Sequence, residues 1–184
     1  MTYLLWTGQI ALATVLAVAA ASKLTSRAAL RDFTASLDDF GIPAPLVHPA
    51  FGLAIAIVEL GCAAALIGAP RIGGSLSAAL FVGFAAGIVH ALGRPEPVRC
   101  RCFGAAGTVL GRGHVVRNLA LAVLAGAVTA RGLAPGRPDA VGGALAALAG
   151  LGAGLLITRW DDLAFIFSTA SARPGRRAGE RTSR

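Results

Sequence analysis

Charge is scarce in this sequence. Asp, Glu, Lys and Arg make up 14% of the 184 residues, whereas an ordinary soluble domain carries about 25%. Hydrophobic residues reach 55%, and the mean hydropathy is +0.70. Too little polar surface remains to keep a globule of this size in water, which argues against a soluble enzyme and against a disordered chain. Cysteine is scarce as well, and three residues cannot staple a secreted disulfide scaffold. Lysine occurs once, at Lys23, beside 16 arginines. The net charge of +8 does not mark a nucleic-acid module, because six of the 17 basic residues lie at or after Arg159 and most others sit between apolar runs. A membrane protein distributes Arg and Lys in this way to set its orientation. Also missing are a Walker sequence, a dinucleotide fingerprint and a zinc-protease helix, so no motif names a cofactor. The cofactor stays unknown, with a quinone still open.

Long apolar runs are what the sequence has in their place. A helix needs about 20 apolar residues to cross the hydrocarbon of a bilayer. Five segments qualify: Tyr3–Ser22, about Val47–Gly68, Ile72–Leu92, about Val115–Ala134 and about Ala140–Thr158. The fold class is therefore an all-α membrane protein, a polytopic transmembrane helix bundle of about five spans. Residues 1–158 form the transmembrane domain. Residues 159–184 read as a basic, disordered cytoplasmic tail. Ala19-Ala20-Ala21 offers a small-residue cleavage site, but no basic segment precedes the first apolar run, so this run is expected to stay as a span. Gly83-x-x-x-Gly87 and Gly150-x-x-x-Gly154 fit close helix–helix contacts.

Counting bases gives the orientation. With the N-terminus outside, 14 basic residues fall on the cytoplasmic side and three, Arg71, Arg131 and Arg137, fall outside. The expected location is the cell (inner) membrane, multi-pass, with the C-terminus cytoplasmic. The bilayer is the first partner. Ala28, Phe33, Leu37 and Phe40 share one side of the first inner loop, which suggests a short interfacial helix. Gly41-Ile42-Pro43 ends it.

Chemistry concentrates in Arg99-Cys100-Arg101-Cys102-Phe103-Gly104. Two cysteines one residue apart can form a tight disulfide or together grip a soft metal. The flanking guanidinium groups of Arg99 and Arg101 favour the thiolate, which is the nucleophilic form. The redox reading makes Cys100 and Cys102 the exchanging pair. The metal reading adds His114 to them. A third reading makes the protein a structural membrane partner in which neither cysteine matters. Cys62 lies inside the second span and reads as a small packing residue.

Glu59 is the one acid in the middle of a span. A mid-membrane carboxylate faces the bundle interior and has a partner or a task. Gly52, Ala56, Glu59 and Ala63 share a face of small residues that would carry it inward. It reads either as a proton relay or cofactor contact, or as a hydrogen-bond staple to a polar group on a neighbouring helix, such as Gln9 or Thr14 of the first span. Lys23, at the inner end of the first span, reads as a snorkelling anchor. His90 and His114 lie near span ends, where either could tune a thiol. Arg117-Asn118 could hold the returning cysteine loop against the bundle.

Ser22-Lys23-Leu24, Phe33, Gly41-Ile42-Pro43 and a Glu in the second span resemble the DoxX-like membrane proteins. With Cys100-x-Cys102-Phe103-Gly104 and then Arg117-Asn118-Leu119, the chain resembles the methylamine utilisation protein MauE family over about Tyr3–Thr158. The resemblance implies an integral membrane protein supporting disulfide formation or maturation of a periplasmic methylamine dehydrogenase subunit, with a thioredoxin-like partner. It points to Cys100 and Cys102 as the thiol pair, with Glu59 and Lys23 in tuning roles. Arg101 stands where the family pattern carries Gly. A protein oxidising an outer substrate would show its thiols outside, whereas the charge count places them inside.

Overall fold

A computed structural model describes residues 2–43, 45, 47–94, 99–100, 108–131 and 139–160. The expected tail, apart from residues 159 and 160, lies outside the described residues. Six helices run in the order α1 (Thr2–Leu24), α2 (Arg27–Asp39), α3 (Pro49–Gly68), α4 (Pro70–Leu92), α5 (Arg112–Arg131) and α6 (Ala140–Thr158). Between α4 and α5 lie β1 (Arg99–Cys100) and β2 (Thr108–Val109). Five of the helices, all but α2, are long and apolar enough to cross a membrane. These are the five expected spans. The starts shift by up to three residues, most at α5, which begins at Arg112, so His114 lies within the helix and not before it.

Local chemistry sets the helix ends. Ser26 caps α2, its hydroxyl accepting from the Ala29 N–H at 3.0 Å. His48 caps α3 through Nδ1, and Pro49 follows in the first turn, where a missing N–H costs nothing. Pro70 opens α4 directly after α3 ends at Gly68, so these two helices form a tight antiparallel hairpin. Gly41 has a φ of +76°, and a side chain there would collide with the His90 ring. Glycine is thus needed at the turn that returns the chain from α2 towards α3.

Helix α1 is the hub. On one side it packs on α3 and α5, where Leu12, Val15 and Leu16 meet Cys62, Leu66, Leu121 and Ala125. The buried Gln9 amide donates to the Leu66 carbonyl at 2.6 Å, fastening α1 to the far half of α3. On its other side α1 receives α6. A Cβ on Gly150 would stand 2.6 Å from the Thr7 carbonyl oxygen, and one on Gly154 would stand 2.7 Å from Thr14 Cβ. The Gly150-x-x-x-Gly154 expectation is met, because only bare backbone allows that approach. Gly83-x-x-x-Gly87 does otherwise. Nothing lies within 4 Å of a Cβ at Gly83, and Gly87 faces the Phe40 ring, so this pair makes no helix–helix seam. The outward side chains are apolar, among them Ile57, Val82, Val123 and Leu148, as contact with lipid tails requires.

The segment expected to be a short interfacial helix is α2, but its apolar face turns inward. Phe33 and Leu37 are buried and Phe40 is half-buried, while Ala28 is exposed and off that face. The short helix is there, but its apolar face covers one end of the bundle.

Two outcomes follow. Gly150→Leu should wedge α6 from α1, and overpacking of this kind costs about 1–3 kcal/mol. Gly152→Leu, with open space around it, should leave thermal unfolding in detergent unchanged; equal melting of both variants would refute the seam. At the start of α6, Asp139 accepts hydrogen bonds from the Tyr3 hydroxyl and from the Gly142 N–H at 2.9 Å. Its carboxyl is held below the ordinary range, first by the Tyr3 hydroxyl and then by Gly142. A lowered folded-state pKa stabilises above the unfolded value and is lost as pH falls through the folded one. Acid-induced loosening of α6, followed by hydrogen exchange, should therefore begin at higher pH in Tyr3→Phe.

Candidate functional site

The site grows from the one lysine in the chain. Lys23 lies in the last turn of α1, and a helical side chain leans towards its own N-terminus. Its ammonium therefore reaches back into the bundle and donates to the Ala19 carbonyl at 3.0 Å. It also donates to both carboxylate oxygens of Glu59 at 2.9 Å. The pair is sealed, with side-chain exposures of 2% and 1%. The ring of Phe33, from α2, lies over the ammonium at 4.6 Å to its centroid, within cation–π range. Three helices thus converge on one charge.

Two expectations change here. Lys23 does not snorkel to water; it points the opposite way because Glu59 offers it a full charge partner. Glu59 does meet a polar group on the first span, but that group is Lys23 and not Gln9 or Thr14. Gln9 serves Leu66, and the Thr14 hydroxyl donates to its own helix at the Ile10 carbonyl, 2.8 Å away. The small-residue face of α3 behaves as expected: Gly52, Ala56, Glu59 and Ala63 are all buried. They let α3 approach closely enough to seal the pair.

Beside the ion pair lies a cavity of about 160 Å³. Its walls are mostly apolar. Helix α1 gives Val15, Leu16 and Ala19; α2 gives Phe33, Leu37 and Phe40; α3 gives Phe51 and Ile55; and α4 gives Phe81, Phe84 and Ile88. The polar lining consists of Lys23, Glu59 and three residues from the first turns of α5, namely His114, Arg117 and Asn118. His114 Nδ1 accepts from the Gly111 N–H at 3.2 Å. The buried Asn118 amide donates to the His114 carbonyl at 2.8 Å. Asn118 therefore braces its own helix start, where the sequence suggested a tie to the returning loop. The cavity itself was not foreseen. Its signal was the phenylalanine face of α2, which the sequence assigned to the membrane surface.

Of the expected thiol pair, only the backbone of Cys100 is described. Cys100 lies in β1, and its backbone pairs antiparallel with Thr108, as Arg99 pairs with Val109. Arg101 and Cys102 lie outside the described residues. Cys62 is buried with Leu66 and Phe81 in the apolar core and has a packing role there. His90 is exposed on α4 and covers Gly41. Among the described residues, no group of three His, Cys, Asp or Glu is placed to hold a metal ion.

Removing one member of a buried pair strands the other charge, at a cost of about 3–5 kcal/mol in proteins. Glu59→Ala and Lys23→Met should each lower the thermal midpoint strongly. Combining Lys23→Met with Glu59→Leu should recover much of the loss. Additive losses in the double variant would mean that the two charges are not coupled.

Compared with known proteins, residues 1–131 match a family model described as methylamine utilisation protein MauE. No curated protein matches, and no solved structure matches.

Proposed function

The chain belongs to the MauE family of integral, multi-pass membrane proteins, and from that premise we propose that it is a membrane thiol–disulfide exchange protein. Its working groups in this reading are Cys100 and Cys102, and its task is the redox maturation of a partner protein. The observation that carries the reading is the Arg99-Cys100-Arg101-Cys102 run, set in the α4–α5 connection and rooted at a two-residue ladder. Two guanidinium groups beside two thiols raise the thiolate fraction. A loop between two spans can be met by a soluble partner of the thioredoxin type.

The exchange runs in two displacements. The thiolate of one cysteine attacks a disulfide sulfur of the partner. That bond breaks, a mixed disulfide forms, and the partner's other sulfur leaves as thiolate. The second cysteine then attacks the mixed disulfide through its own pair-mate. The pair ends as a disulfide and the partner as a dithiol, with two electrons moved and none left over. Run backwards, the same steps oxidise the partner. The charge count supports placing the connection at the cytoplasmic face of the inner membrane, where the donor or acceptor would be cytoplasmic. Ties to methylamine metabolism come with the family and not with any residue of this chain.

The test is a cysteine trap in native membranes. The wild-type pair should shift reversibly between dithiol and disulfide forms under a physiological thiol couple. Cys100→Ser or Cys102→Ser should accumulate a mixed disulfide with a partner. An impermeant maleimide should label the pair only after the cells are permeabilised. A double serine variant with full function in cells would end the redox reading. Stoichiometric copper or zinc lost in that variant, with no redox cycling, would replace it with metal handling.

A further inference from the structure

We propose that the cavity beside Lys23 and Glu59 is a binding site for the head of a quinone lipid, entered sideways from the bilayer at Gly83. Four observations point to that ligand. The cavity is of the right size: about 160 Å³, where an enclosed apolar cavity of about 150 Å³ takes a benzene ring. Its walls carry the aromatic side chains of Phe51, Phe81 and Phe84, which suit a planar ring.

Its polar side carries His114 and Arg117, whose N–H groups match the carbonyl oxygens of a quinone. The fourth observation is the opening. Gly83 lines the cavity, yet it is exposed on the outer surface of α4, and nothing lies within 4 Å of a Cβ built there. A side chain at this point would fill a gap that leads to the hydrocarbon. A ligand using that gap arrives from the membrane and leaves its apolar tail in it.

The ion pair sharpens the choice of head. The ammonium and the carboxylate already satisfy one another, so the head need bring no charge of its own. A quinone head is neutral and leaves the Lys23–Glu59 pair intact. The step that follows rests on the dithiol reading above. Two thiols give up two electrons and two protons and close the S–S bond. The quinone takes up both electrons and both protons and becomes the quinol. Nothing else is consumed.

The experiment titrates decylubiquinone onto the full-length protein in lipid nanodiscs. Binding should saturate, and Gly83→Leu should weaken it about tenfold. Gly61→Leu also faces open space on the bundle surface, away from the cavity, and should bind as wild type does. Equal uptake by wild type and Gly83→Leu would overturn the site. So would full competition by a decyl chain lacking the ring. A second readout follows quinol formation by the reduced protein, which the Cys100→Ser/Cys102→Ser variant should lose while still binding. Binding without quinol formation would sink the dithiol reading and leave the site standing. Disulfide exchange with a partner in a protein that binds no quinone would do the reverse.

Discussion

An ammonium and a carboxylate lie 2.9 Å apart in the interior of a helix bundle that spans a membrane. Neither ion is tolerable alone at that depth, so each must be met by the other, and the surrounding structure must bring them together and keep water away. That requirement sets several features at once. The end of α1 must lie against the middle of α3. Helix α3 must present a face of small residues, Gly52, Ala56 and Ala63, so that its backbone can come close. Helix α2 must fold over the same end, because Phe33 supplies the aromatic face above the ammonium. A side chain at the terminus of a span thereby decides where an amphipathic helix docks.

The opposite side of α1 obeys a different constraint. There, contact with α6 depends on the absence of side chains at Gly150 and Gly154. Lipid tails are as apolar as the residues they touch, so burial alone gives helices no reason to associate in the bilayer. Association depends on close packing and on polar contacts. This bundle uses the first between α1 and α6, and both between α1 and α3, where the Gln9–Leu66 hydrogen bond adds to the ion pair. The two modes share one helix, and α1 accordingly has the most extensive burial of the spans.

Length and hydropathy are properties of contiguous residues, so all five spans were legible in the sequence. The buried position of Glu59 and the Gly150–Gly154 seam were legible for the same reason, since each shows as spacing within one helix. The partner of Glu59 was not. Lys23 stands 36 positions away at a helix end, where a lysine ordinarily reaches for water. Only the relative placement of α1 and α3 reveals that it turns inward. The cavity was hidden for a stronger reason. It is a space left by five separate segments, and no run of residues encodes a space. Phe33 of α2 and Phe40 at its C-cap gave a true signal of an apolar face but no indication of what that face would meet. Gly83 reads in sequence as half of a packing motif, and only its empty surroundings distinguish it from Gly150.

The first turns of α5 belong to two structures at once. His114, Arg117 and Asn118 form the polar wall of the cavity. The same turns receive the chain returning from β2, through Leu110, which is buried against Ile88 and Ala91 with Phe40 and Val115 packed beside it. Phe40 lines the cavity too. An occupant pressing on Phe40 or His114 would press on the anchor of the segment that carries Cys100. Packed interiors transmit such displacements because they have few voids to absorb them. If thiol exchange is the task of that segment, its redox state and the occupancy of the cavity are not independent variables. Coupling of that kind would run through Leu110 and Phe40, two apolar side chains packed together that take no part in any of the chemistry.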